Sequence, residues 1–560
     1  MRMQGTNNRL ATRHRDLMVA LALCCLAGTL FFFRLGATGL FDADEPAYAE
    51  AAREMLVRAD WDTPTFNGQL RPDKPILFYW LLIASYRVFG MTSFAVRCWS
   101  ALAGVGLTLL VCAAARRWLG RPADLWAPLA FVTAPLAALL GRAGVTDMVL
   151  TFWMCCSVFA GLSALDERSV ASRRWAAAAW AAAAVASLTK GPVGLLVPAM
   201  ALGGGLLIRG EFRQGVQRLF RWEGLAAFAM IAGPWYALIL ARSGWDFVQG
   251  FVFKHNIGRF TGVVSGHSGP VWFYVPVLLI GFFPWIGYLP VAFRSAGTFL
   301  KRGEGSAPQQ RLLATCLAWF VSVFVFFSLA ATKLPSYLFL AFPALALLTG
   351  RTIAMTEEGG GDDKSPRWAT RLGNGLLLGI GLPLAAGLCL LPFVFDRIRP
   401  LTRGVLDGVP PPTGIAWAIG LLVFIGTVTG ATCLRWRRQV LAAMMVIFIL
   451  TAAMIAPQAY AIVQAPLRTY AETAGRLLGP DDPVIMYGLN APSVVFYAAR
   501  RVVSFGPDDR ADLADAIARM RGAQRPVVVI TRAQHVRRIE DLPGLALRDA
   551  RGGYALFTAD

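Results

Sequence analysis

The stretch Ile76-Leu77-Phe78-Tyr79-Trp80-Leu81-Leu82-Ile83-Ala84-Ser85-Tyr86-Arg87-Val88-Phe89-Gly90 decides how this chain is threaded. It is apolar, but fifteen residues with an arginine inside fall short of the roughly 20 that cross a bilayer. Counted as a span, it would put Arg116, Arg117 and Arg121 outside and reverse every later arginine-rich connector. Read as an interfacial or re-entrant helix, it leaves Arg116/Arg117/Arg121, Arg209/Arg213/Arg218/Arg221, Arg294/Lys301/Arg302 and Arg435/Arg437/Arg438 together on the cytoplasmic side, as the positive-inside bias requires. With that choice, spans are expected at 16–35, 94–114, 123–141, 147–165, 174–189, 191–208, 223–242, 271–293, 311–331, 335–350, 372–395, 413–434 and 439–458. These thirteen put the N-terminus inside and the tail outside.

Composition points the same way. Of 560 residues, 56% are hydrophobic and only 16% charged, against about 25% charged in ordinary soluble domains. The formal net charge of +20 would suit a nucleic-acid binder, but no basic helix or aromatic-interleaved basic face is present. The arginines lie between apolar segments, so the charge reads as topology, and no nucleic-acid partner is expected. The nine cysteines lie in or beside apolar segments without CxxC spacing, which argues against disulfides and a metal cluster. The apolar run Leu17–Phe33 is longer than a signal-peptide core and is taken as a retained first helix.

The division expected is a transmembrane unit over residues 1–458, with its first outer loop at 36–93, and a tail over 459–560. In the tail, strand-like runs (Val484–Tyr487, Val502–Ser504, Val527–Ile530, Tyr554–Phe557) alternate with helical patterns (Ser493–Arg500, Ala511–Arg521), which predicts a small α/β domain.

Four polar clusters fall on the outer face of this topology. The first loop holds Asp42-Ala43-Asp44-Glu45-Pro46-Ala47-Tyr48-Ala49-Glu50 just beyond the first span. These carboxylates suit acid–base work, and Asp44 equally suits a helix cap before Pro46. Arg71-Pro72-Asp73-Lys74-Pro75 holds a lysine between two prolines, fit to meet a phosphate at the interface or to snorkel there. Thr146-Asp147 opens the fourth span, as a cap or a second acid. The last cluster is split between Lys254-His255-Asn256-Ile257-Gly258-Arg259-Phe260 and Thr332-Lys333-Leu334-Pro335-Ser336-Tyr337. Cations beside carboxylates at one membrane surface suit a lipid phosphate and an acceptor nucleophile. They also suit a secondary transporter, although the cytoplasmic half shows no matching set.

Taken in order, Asp44-Glu45-x-x-Tyr48-Ala49-Glu50, Lys74-Pro75, Thr146-Asp147, His255-Asn256-x-x-Arg259-Phe260 and Lys333-Leu334-Pro335-x-Tyr337 resemble the bacterial aminoarabinose transferases. With the protein O-mannosyltransferases, these belong to the GT-C superfamily of polyprenyl-phosphate-sugar glycosyltransferases. The resemblance implies an α-helical polytopic membrane protein with a small C-terminal α/β domain outside the membrane. It implies an outward-facing cavity closed by the first loop, with Asp44 at the catalytic position, Asp147 as second carboxylate, and Glu45 and Tyr48 beside them. Lys74, Arg259 and Tyr337 match positions that hold the donor phosphate, and Lys333 is added to them. The family's glutamate before the lysine is Asp73 here, so a structural zinc at Asp73 and His255 would have two ligands where three or four are usual. No cofactor is otherwise expected.

The function this implies is inverting transfer of a sugar, with 4-amino-4-deoxy-L-arabinose the best choice. The sugar would move from a polyprenyl monophosphate carrier to lipid A or another cell-envelope acceptor, among membrane lipids. The expected location is the bacterial inner membrane, with the site on the periplasmic side. Protein O-mannosyl transfer is the alternative within the same chemistry.

Overall fold

Every one of the thirteen expected spans is helical in the computed structural model, which describes residues 2–167, 169–263, 266–357, 367–402 and 404–559. Eight of the described helices are long and apolar enough to cross a bilayer. The number is ten if each of two bent pairs counts as one span: Ala123–Val132 with Pro135–Gly141, bent 66°, and Val271–Gly281 with Trp285–Arg302, bent 102°. The other three expected spans are the helices Ser169–Lys190, Val193–Arg209 and Phe342–Glu357. Phe342–Glu357 is surrounded by protein, with Phe342 through Ala354 all buried. Such helices need no lipid-facing stripe, so length and hydropathy mark them poorly.

Ile76–Gly90 forms the helix Leu77–Phe89, whose 13 residues span about 20 Å, well short of the roughly 30 Å hydrocarbon core. One face, Phe78, Tyr79, Leu82, Ile83 and Tyr86, is buried, while Val88 and Phe89 are exposed. Arg87 lies 4.5 Å from the Trp61 ring centre, and Trp80 Nε1 donates to Trp61 O at 2.6 Å. The first loop is therefore packed rather than loose. Its helix Asp44–Arg58 buries Ala47, Ala49, Ala51 and Ala52, small residues that allow close approach to Leu77–Phe89. Tyr86 Oη donates to Ala49 O at 3.0 Å across that contact.

The long helix from Trp222 breaks at Gly244, whose φ of 51° is a left-handed value that favours glycine. A π-helical segment, Val248–Ile257, follows. It passes so close to the first loop that a Cβ on Gly250 would lie 2.3 Å from Pro72 Cγ. This approach brings His255 and Arg259 to Lys74.

The last apolar helix runs Arg437–Val463 and is followed by Ala465–Leu477 and a five-stranded sheet. The strand order is Val502–Phe505, Val484–Tyr487, Val527–Arg532, Tyr554–Ala559, Ala546–Arg551. The first three are parallel and the last two antiparallel. All four expected strands form. Ala546–Arg551 escapes a sequence reading because, at the sheet edge, it is mostly exposed and lacks an apolar run.

Candidate active site

The chain places Asp44 in the first turn of Asp44–Arg58, exposed on the wall of a cavity of about 680 Å³ that Asp42, Arg142 and Asp147 also line. Its neighbour Glu45 also lines this cavity but is buried. Glu45 accepts from Arg97 Nε at 2.7 Å, Arg97 Nη2 at 2.6 Å, Gly144 N at 2.7 Å and Phe41 N at 2.9 Å. Arg97 also donates to Leu35 O, Thr38 O, Thr38 Oγ1 and Gly39 O. This buried pair ties the first loop to the transmembrane bundle. Glu45 thus lines the same cavity as Asp44 and Asp147 while its oxygens are engaged as an anchor.

A second cavity of about 190 Å³ is lined by Asp73, Lys74, Lys190, His255, Arg259 and Tyr337. Arg71 Nε lies 2.8 Å from Asp73 Oδ1 and Lys74 Nζ 3.6 Å from Asp73 Oδ2. Burial pushes the Asp73 carboxyl up, but Arg71 and then Lys74 outweigh it and hold it down at about 2. Burial likewise drives the Lys74 ammonium down, Asp73 opposes, and Arg259 and Lys190 add to the fall, leaving it at about 8. Arg259 Nη1 donates to Tyr337 Oη at 3.0 Å, and Lys190 Nζ sits 5.3 Å from the Tyr337 ring centre.

Lys190 joins the two cavities. Its Nζ donates to Asp147 Oδ1 at 2.8 Å, so Asp147 lines the acidic cavity while holding a cation of the basic one. Sequence reading passed over Lys190; its only mark is a lone lysine before Gly191-Pro192, at the outer end of an alanine-rich span. Tyr48 lies beneath Arg71, whose guanidinium carbon is 5.1 Å from its ring centre, and it packs on Phe78 and Tyr79. Burial, then Asp44 and Asp73, raises its hydroxyl well above the usual value. It therefore stays protonated.

Two expectations are corrected by this geometry. Lys333 does not enter the basic cavity. Its Nζ donates to Ser328 O at 2.8 Å and Ala330 O at 2.6 Å, satisfying carbonyls left open at the end of the helix Ala307–Leu329. Asp73 and His255 do share the basic cavity, and His255 Nδ1 is buried without a hydrogen-bond partner. Yet Asp73 is occupied by Arg71 and Lys74, and among the described residues no third His, Cys, Asp or Glu joins the pair. The residues present do not fit a zinc ion.

The family model described as "Dolichyl-phosphate-mannose-protein mannosyltransferase" matches residues 73–237. The chain is 32% identical over 323 residues to the undecaprenyl phosphate-α-4-amino-4-deoxy-L-arabinose arabinosyl transferase 2 of Proteus mirabilis, covering 57% of each protein. It spans little more than half the length, 54–57%, of several such relatives. Among solved structures, ArnT from Cupriavidus metallidurans bound to undecaprenyl phosphate superposes with a TM-score of 0.75. That match is at 24% identity and covers 96% of this chain and 97% of that one, so the fold is shared from end to end. The Sodalis glossinidius transferase 2 of the same description extends the sequence match to 75% of this chain and 74% of its own length, at 31% identity. On that match the chain belongs to the family of undecaprenyl phosphate-α-4-amino-4-deoxy-L-arabinose arabinosyl transferases.

Proposed function

We propose that the protein transfers 4-amino-4-deoxy-L-arabinose, with inversion, from an undecaprenyl monophosphate carrier to lipid A or another cell-envelope acceptor. The reaction takes place at the periplasmic face of the bacterial inner membrane. The observation that carries this reading is the junction of a narrow basic cavity with a wider acidic one at the Asp147–Lys190 pair. A monophosphate leaving group fits Lys74, Lys190 and Arg259, and the acceptor hydroxyl lies toward Asp44. As the sugar C1–O bond breaks, its electron pair goes to the phosphate, where fixed cations shielded from water stabilise the growing charge. The acceptor oxygen bonds to C1 from the opposite side and its proton passes to Asp44. Asp147 holds Lys190 in place and balances its charge between turnovers. Protein O-mannosyl transfer shares the donor chemistry, and the match over residues 73–237 covers Lys74, Asp147 and Lys190. It says nothing for a protein acceptor.

The test is purified full-length protein in nanodiscs with undecaprenyl-phosphate-aminoarabinose and lipid A, followed by mass spectrometry of the lipids. Lipid A gains one aminoarabinose unit, and Asp44→Asn, folded and inserted, slows that gain at least about a hundredfold. An intact donor after incubation with lipid A and with a total envelope lipid extract would sink the proposal.

A further inference from the structure

We infer that the C-terminal domain positions the loop carrying Asp44, through a latch made by Asp42, Gln464, Ser493 and Tyr497. The inference rests on the transferase reading above, in which Asp44 takes the acceptor proton.

The carboxylate of Asp44 has no hydrogen-bond partner among the described residues, so its place is set by the backbone on either side. Downstream, Glu45 is fixed to Arg97 and Gly144 of the transmembrane unit. Upstream, residues 39–43 adopt neither helix nor strand. What holds them comes largely from beyond the last span. Leu40 N donates to Tyr497 Oη at 2.8 Å. Asp42 accepts from Gln464 Nε2 at 2.7 Å, Ser493 N at 2.8 Å and Ser493 Oγ at 2.5 Å. Phe41 meets the ring of Tyr460, at the end of the last apolar helix, edge-on at 5.3 Å. Ser493 and Gln464 are buried, and Asp42 lines the same cavity as Asp44.

Asp44 is therefore gripped from two sides: the bundle holds the residue after it, and the C-terminal domain holds the loop two and four residues before it. A carboxylate carrying three short hydrogen bonds from buried partners is an expensive feature to build for a plain surface loop. Asp42, Ser493 and Tyr497 are positioning residues, because they act only through Asp44. Misplacement of a reacting group by about 1 Å costs roughly a hundredfold in rate.

The experiment compares Asp42→Asn, Ser493→Ala and Tyr497→Phe with wild type, all full length in nanodiscs. It measures kcat and donor KM, and hydrogen exchange over residues 40–45. Asp42→Asn and Ser493→Ala should lower kcat about ten- to a hundredfold, leave donor KM within about twofold, and speed exchange in that segment. Tyr497→Phe removes a single hydroxyl, keeps the fold, and should move both readouts the same way more mildly. Unchanged exchange in the three variants, or faster exchange with unchanged kcat, overturns the latch. A kcat loss matched by an equal rise in donor KM overturns it too, since that is general damage. If wild type transfers to no acceptor, the transferase reading falls by itself. Exchange then decides whether the domain holds the loop, and unchanged exchange overturns that as well.

Discussion

At Lys74 the chain buries an ammonium within reach of three other cations, Arg259, Lys190 and Arg71, with the Asp73 carboxylate beside it. Burial and the neighbouring cations lower it to about 8. A lysine so placed binds phosphate only while protonated, so its contribution is complete below pH 8 and is lost as pH rises through that value. Donor kcat/KM should therefore fall above pH 8 by about ten- to a hundredfold, the worth of one charge-assisted hydrogen bond. In Lys74→Arg, which stays charged, the fall should move out of the measurable range. A flat profile for wild type from pH 7 to 10 would remove Lys74 from the donor site. The ordered motifs of the family resemblance single out Lys74, Arg259 and Tyr337, which the structure brings to one cavity, and Asp44 and Asp147, which it brings to another. Direction was not legible. Lys333 shares a motif with Tyr337, yet its ammonium turns to the carbonyls of the preceding helix, a choice made by the packing of that helix end.

Among the elements, the helix Asp44–Arg58 shows how packing turns a polar sequence into a fixed frame. Its acidic first turn reads in sequence as either a cap or a site, and the structure divides the two tasks between adjacent residues. Both line the cavity, Asp44 exposed and Glu45 buried in its ion pair with Arg97. The partner that settles this, Arg97, lies in the next long helix, Ser93–Trp118, so no local pattern could announce it. Arg97 and Glu45 are both nearly inaccessible to solvent, at 3% and 6% exposure. Removing one member of such a pair leaves the other's charge buried and uncompensated, at a cost of about 3–5 kcal/mol. Arg97→Met should thus lower the unfolding temperature of the detergent-solubilised protein sharply, and Glu45→Gln added to it should restore part of the loss. An Arg97→Met protein as heat-stable as wild type would show that the pair does not hold the loop. Helix positions were legible throughout, because long apolar runs need no partner to be recognised. The expected span 335–350 is met by Phe342–Glu357, shifted along the chain because Ser336–Phe339 forms a short helix of its own.

Across the whole molecule, charge separates the two ends of the bundle. At one end, Arg116 meets Asp16 and Asp124, Arg117 meets Glu167, Arg311 meets Asp166 and Glu211, and Arg438 meets Glu357. These partners come from the start of the first span, the connectors after several spans and the start of the last, so those connectors share one face. At the other end lie Asp44, Lys74, Asp147, Lys190 and Arg259, and the C-terminal domain joins them through Asp42–Ser493 and Asn67–Val502. The choice made at Ile76–Gly90 is what allows this. A true span there would have carried Arg116 to the face of Asp44. Membrane insertion favours the arginine-rich face inside, and that face is the one bearing Arg116. Reporter fusions after Arg116 and after Asp481 in the full chain should then report opposite sides, with a phosphatase active at Asp481 and a cytoplasmic fluorescent reporter active at Arg116. Phosphatase activity at Arg116 together with cytoplasmic fluorescence at Asp481 would mean that Leu77–Phe89 crosses the membrane after all. Cytoplasmic activity at Asp481 would detach the domain from the site, taking with it the contact between Ser493 and Asp42 on which the placement of Asp44 depends.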